Sequence, residues 1–110
     1  MSATPQLRRR RSLLFMPGDS QRKIEKATGL AADAIIADLE DGVALSRKET
    51  ARRTTVASFA RLDFGPIERL IRINPASGPL WEEDLVGTVA ARPDGYVLPK
   101  AESPEQVARV

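Results

Sequence analysis

Carboxylates and cations gather at the ends of three apolar runs. The stretch "DAIIADLEDG" (33–42) ends on Asp38, Glu40 and Asp41. The stretch "ERLIRIN" (68–74) ends on Arg72 and Asn74, and "YVLPKAE" (96–102) ends on Lys100 and Glu102. An arginine at the far end of a short apolar strand suits an anionic substrate. Its guanidinium makes two parallel, charge-assisted bonds to a carboxylate, and its charge does not titrate away. The 110 residues contain no cysteine and no histidine. Thiolate nucleophiles, disulfides and the usual zinc sites are thereby excluded within them. A divalent ion held by these residues has oxygen ligands, which points to magnesium, calcium or manganese. A catalytic base must be Asp, Glu, Lys or Tyr. A second cationic pair, Arg22 and Lys26, lies one turn apart at a helix start. That placement suits a phosphate or pyrophosphate. It equally suits a solvated basic face partly paired with Glu25.

Alternating elements must position these groups. "SLLFMPG" (12–18) is a short apolar run stopped by Pro17 and Gly18, which reads as a buried strand and a turn. "DSQRKIEKATGL" (19–30) reads as a helix with Asp19 or Ser20 as cap and Gly29 just past its end. After the strand at 33–42, "SRKETARRTTVASFARL" (46–62) reads as a helix. Ser46 is its expected cap, Glu49 completes a capping box, and Gly65 and Pro66 follow. The third strand is 68–74, and "PLWEEDLVGTVAA" (79–91) is the next helix. A Pro93-Asp94-Gly95 turn leads into the fourth strand. A last helix starts with Ser103 as cap and Pro104 in its first turn.

Strands alternating with helices mean a parallel sheet. The strands are apolar through their middles, as expected when both faces are covered. Side chains two apart share a strand face, so Asp38 pairs with Glu40, Arg72 with Asn74, and Lys100 with Glu102. In such folds the carboxyl ends of all strands lie together, and ligands bind there. Acids and bases from three strands therefore converge on one rim, either as a binding site or as helix caps and mutual ion pairs. Phe15, Phe59, Phe64 and Trp81 are expected to be packing residues, with Trp81 close enough to the loop after strand three to line a substrate mouth.

Two architectures compete, a doubly wound sheet and a (β/α)8 barrel. The turn "MPGDSQR" holds one glycine, so the dinucleotide fingerprint is missing. A barrel needs about 250 residues. The chain is thus expected to supply about the first four βα units of one, as a fragment of a longer protein.

Hydrophobic residues make up 42% and charged residues 29%, the balance of a folded, soluble domain. The longest apolar runs fall well short of the roughly 18 to 20 residues of a membrane span. The net charge of +2 hides an asymmetry. Residues 1–11 carry Arg8 to Arg11 and no acid, while the rest holds 13 basic and 15 acidic residues. The high pI belongs to a basic arm, 1–11, ahead of the domain at 12–110. Such an arm reads as a solvated tail, a transit segment or an anion-binding tract. No aromatic platform or basic domain face accompanies it, so nucleic-acid binding is not expected.

Four ordered blocks go further: "RSLLFMPGDSQRKIEKA", "ADAIIADLEDGVALSRKETAR", "RLIRIN" and "DGYVLPKAES". Together they resemble the N-terminal blocks of the HpcH/HpaI aldolase/citrate lyase family, in its citrate lyase beta subunit-like and malyl-CoA lyase-like branch. The resemblance runs from Arg11 onward. It implies a TIM barrel that cleaves or forms a carbon–carbon bond in an acyl-CoA thioester, with Mg2+. The oxoacid is the other reactant or product. Carried over by position, it implies Arg22 and Lys26 on the CoA phosphates and Arg72 on the substrate carboxylate. Asn74 and Lys100 are expected among the substrate contacts, Lys100 at the barrel mouth. Asp38, Glu40 and Asp41 form the acidic block, with Glu40 and Asp41 near the metal through its waters. Family members take their direct metal ligands, a Glu and an Asp, from later strands, and a catalytic acid from a C-terminal segment. The 110 residues alone are then expected to be inactive. The resemblance further implies a cytoplasmic enzyme, assembled as a homotrimer or homohexamer when complete. The alternative is a non-catalytic half-barrel that binds CoA or pairs with a partner chain.

Overall fold

The computed structural model describes residues 12–30 and 32–99. The Arg8–Arg11 arm, Lys100, Glu102 and the helix expected from Ser103 lie outside the described residues. Four parallel strands form one sheet in the order β1-β2-β3-β4: Leu13–Pro17, Ala34–Asp38, Glu68–Arg72 and Gly95–Val97. Between them run α1 (Gln21–Ala27), α2 (Lys48–Arg61) and α3 (Trp81–Thr88).

This order decides between the two expected architectures. Parallel strands joined by right-handed crossovers place every helix on the same side when the strand order never reverses. A doubly wound sheet needs a reversal. The core agrees. Ile24 and Ala27 of α1, Ala51 and Phe59 of α2 and Trp81 of α3 pack with Ile35, Ala37 and Ile71. The opposite face carries a cluster of strand residues alone: Ala34, Ile36 and Leu70, with Val97 against them. Among the described residues the helices therefore cover one face of the sheet. Among the described strands only β2 is buried along its whole length; β3, also an inner strand, is buried only at Leu70 and Ile71. β1 is not the buried strand its composition implied, since it lies at the sheet edge with Leu13 44% and Phe15 50% exposed.

Local signals hold where the partner is near. Ser20 caps α1 by accepting the Lys23 amide. Asp19 instead pairs with Arg47. Gly29 does not adopt a left-handed conformation. The end of α1 is tightened by Thr28, whose amide bonds back to Glu25 O and whose hydroxyl donates to the same carbonyl at 2.7 Å. Ser46 does not cap α2. It sits inside a 3-10 turn, Leu45–Arg47, and Glu49 pairs with Arg53 rather than closing a capping box. α3 is shorter than expected, passing into a 3-10 turn at Val89–Ala91. Its first turn holds Glu82, Glu83 and Asp84, the sign its N-terminal dipole favours.

Candidate functional site

The strand register builds the rim. Pro17, Asp38 and Arg72 stand level on neighbouring strands. Arg72 reaches back across the sheet to Asp38, donating from Nε to Oδ1 at 2.8 Å and from Nη2 to Oδ2 at 2.6 Å. The same carboxylate accepts the amides of Glu40 at 2.9 Å and Gly42 at 2.8 Å. Burial on its own would raise the Asp38 pKa. The hydrogen bond from Arg72, the two amides and the Arg72 charge outweigh burial and hold the carboxyl below its ordinary value. Arg72 is shifted up, by its bond to Asp38 against the opposing effect of burial and with help from the charges of Asp38, Glu40 and Asp41.

Two glycines make room for this arrangement. A side chain at Gly42 would start 2.7 Å from Asp38 Oδ2, and one at Gly18 would start 2.9 Å from Asp38 O. Gly18 also donates its amide to Asp38 O at 2.8 Å, so the turn after β1 rests directly on the end of β2.

The lowered Asp38 pKa has a stability consequence with a definite sign. The unfolded chain takes up this proton at the ordinary value near 4, and the folded chain only at lower pH. The contribution is fully present above about pH 4 and is lost as pH falls through the native value. Urea unfolding of full-length wild type and Asp38→Asn is expected to show a wild-type advantage at neutral pH that shrinks below about pH 4. An advantage that stays constant under acid conditions would rule the linkage out.

Arg72 keeps unused capacity. Asp38 occupies its Nε edge, and among the described residues Nη1 donates to no partner. The Phe15 ring lies under the guanidinium, 4.9 Å from Cζ to the centroid, which corrects its expected role as packing. Phe59 and Phe64 do pack, edge to face at 5.4 Å, and Trp81 is buried in the core rather than lining a mouth. Glu40 Oε1 lies 3.6 Å from Arg72 Nε. Asp41 is exposed at the rim.

Asn74 departs from the expected substrate contact. It is buried, and its side-chain amide donates to Leu39 O at 2.9 Å and to Asp84 Oδ2 at 2.7 Å. Both amide hydrogens are spent on protein, so Asn74 braces the rim. Arg22 and Lys26 are exposed on α1, with no ion pair to Glu25 among the described residues.

Three residues that sequence reasoning passed over support the site: Lys48, Arg52 and Asp84. Lys48 Nζ donates to Leu39 O at 2.7 Å and Glu40 O at 2.6 Å. Asp84 is fully buried and accepts from Arg52 Nε, Asn74 N and Asn74 Nδ2 at 2.8, 2.8 and 2.7 Å. Asp84 shares a buried helix face with Trp81 and Thr88. An acid on that spacing was the available signal.

Residues 11–110 match the HpcH/HpaI aldolase/citrate lyase family. The chain belongs to that family. Mitochondrial citramalyl-CoA lyase of Homo sapiens is 41% identical over 100 residues, covering 89% of this chain and 29% of that protein. Citrate lyase subunit beta of Leuconostoc mesenteroides subsp. cremoris is 35% identical over 96 residues, covering 87% of this chain and 32% of that protein. A crystal structure of CitE from Mycobacterium tuberculosis, in complex with magnesium, acetoacetate and coenzyme A, matches with TM-score 0.77 at 35% identity. It covers 92% of this chain and 37% of that one. The chain thus spans about a third of the length of these relatives.

Membership in the HpcH/HpaI family explains the bare sheet face. The described sheet is the N-terminal part of a TIM barrel. In a closed barrel the helix-free face is the interior, and closure removes the open edges. Phe15, Ile36, Leu70, Asp38 and Arg72 share that face. Asp38 and Arg72 stand at its C-terminal end, where barrel enzymes keep their chemistry.

A magnesium ion fits the chemistry of this rim. Asp38, Glu40, Asp41 and Arg72 sum to two negative charges, and every acidic donor is a hard carboxylate oxygen. Among the described residues no three acidic side chains converge closely enough to hold the ion themselves. A carboxylate outside an ion's coordination sphere can reach it only through the ion's waters.

Proposed function

We propose that this chain serves a Mg2+-dependent carbon–carbon lyase acting on an acyl-CoA thioester of the citryl, malyl or citramalyl type, with an acyl-CoA and an oxoacid as products. The observation that carries the reading is Arg72, fixed by Asp38 on one edge and by Phe15 on one face, with its Nη1 side unspent. That guanidinium is pre-oriented for a second carboxylate, that of the oxoacid portion. Asp38 serves as anchor. Its four hydrogen bonds and lowered pKa keep it ionised and unsuited to accept a proton near neutral pH. Glu40 and Asp41 hydrogen-bond the water shell of the metal. Bound magnesium supplies Lewis-acid polarisation of the oxygen beside the breaking bond. Exposed Arg22 and Lys26 take the CoA phosphates, and Lys100 joins the substrate contacts. The similarity to citramalyl-CoA lyase and to citrate lyase subunit beta supports the same reading, and the similarity to (3S)-malyl-CoA thioesterases makes thioester hydrolysis the competing reaction.

The test is to incubate the full-length protein with citramalyl-, malyl- and citryl-CoA and follow the oxoacid released. Formation of pyruvate, glyoxylate or oxaloacetate that stops on chelation of Mg2+ is the expected result. Release of free CoA thiol with no oxoacid would mean thioester hydrolysis and would overturn the lyase reading. CoA binding without turnover by a native protein with the mass of these 110 residues, 12.0 kDa, would favour a non-catalytic half-barrel.

A further inference from the structure

We infer that Lys48 is a positioning residue through which α2 sets the place of the Glu40 and Asp41 carboxylates. The inference rests on the function proposed for those two residues. Every backbone group from Leu39 to the Glu40 carbonyl is tied. The Leu39 amide donates to Arg72 O at 2.9 Å. The Leu39 carbonyl accepts Lys48 Nζ at 2.7 Å and Asn74 Nδ2 at 2.9 Å, which occupies both of its lone pairs. The Glu40 amide donates to Asp38, and the Glu40 carbonyl accepts Lys48 Nζ at 2.6 Å.

One ammonium thus bonds two successive carbonyls. In a strand, successive carbonyls point opposite ways, so this geometry belongs to the bend by which the chain leaves β2. An ammonium has three donors on one atom and suits two converging acceptors. The location of Lys48 is itself informative. It is the first residue of α2, where the helix dipole disfavours a cation. Charge-assisted bonds to the two carbonyls offset that penalty locally.

The other arm of the grip returns to the same helix. Arg52 lies one turn beyond Lys48 and bonds Asp84, which holds Asn74, which bonds the Leu39 carbonyl. Helix α2 therefore reaches Leu39 O by two routes. The residue immediately following that carbonyl is Glu40, and Asp41 comes next.

The test uses the full-length enzyme with Lys48→Met, Lys48→Arg and Glu40→Gln. Mn2+ affinity is read by electron paramagnetic resonance, alongside kcat, KM for the acyl-CoA and the thermal midpoint. Lys48→Met is expected to weaken Mn2+ binding by about 10- to 100-fold and to lower kcat, with KM for the acyl-CoA changed less than about threefold. Lys48→Arg, which keeps a charged donor, is expected to recover most of the Mn2+ affinity. Should Lys48→Met not fold, Lys48→Gln takes its place with the same expected losses. A lowered thermal midpoint with Mn2+ affinity and kcat within about twofold of wild type would overturn the inference and leave Lys48 a structural strut. Glu40→Gln separates the two readings. If it impairs Mn2+ binding while Lys48→Met does not, only the positioning role fails. If it leaves Mn2+ binding intact, the metal role proposed for Glu40 fails and the inference falls with it.

Discussion

Arg72→Lys in the full-length enzyme is expected to lower kcat/KM for the acyl-CoA substrate by roughly 30- to 1000-fold, about 2–4 kcal/mol of lost interaction with the bound carboxylate. Lysine is the informative replacement because it keeps the charge. Arg72 spends Nε and one side of Nη2 on Asp38, and its planar fork still offers a second edge. A lysine ammonium is a point charge on a flexible stem and cannot hold Asp38 and a substrate carboxylate in fixed geometry together. It would stay with Asp38, which is 4% exposed and cannot be left unpaired cheaply. The fold should therefore survive while substrate recognition fails. Arg72→Met would confuse the two effects, since it also strands the Asp38 charge. Steady-state kinetics with a thermal-unfolding control makes the measurement. Turnover within about threefold of wild type would remove Arg72 from substrate binding.

The largest expected stability effect lies outside the rim. Asp84→Ala should destabilise the full-length protein by about 3–5 kcal/mol, read as a lower urea midpoint at unchanged slope. Asp84 is 0% exposed and joins three elements: α2 through Arg52, the segment after β3 through Asn74, and α3, to which it belongs. Removing it strands a largely buried guanidinium and two amide donors at once. Asp84→Asn keeps one acceptor oxygen and should cost less than half as much. Equal losses for the two variants would mean that shape at this position matters more than the acceptor. Because Asn74 also holds Leu39 O, Asp84→Ala should loosen the rim as well as lower stability.

The parts of this protein legible in its sequence are those set by near neighbours along the chain. Apolar runs bounded by Pro, Gly and acids marked all four strands, although composition did not show that β1 would lie exposed at the sheet edge. Ser20 capped α1 as expected, because the Lys23 amide it accepts lies three residues away. The convergence of Asp38, Glu40 and Arg72 followed from strand parity and from the rule that parallel strands share a carboxyl end. Ser46 shows where this reasoning stops. A capping box was written into the sequence, but Lys48 was pulled to Leu39 and Glu40, and α2 began two residues late on a 3-10 turn.

Four ordered motifs and their spacing were enough to establish the family and the parallel α/β class, because both depend on residue types in order. The tertiary structure alone decided which face of each strand the helices cover. It thereby turned Phe15 from a core residue into the platform beneath Arg72. It alone paired Arg52 with Asp84, 32 residues apart, and moved Asn74 from substrate contact to brace. Those outcomes depend on where separate elements meet once the crossovers are closed. The sequence carries the donors and acceptors, and only the packed sheet determines which of them come within 3 Å.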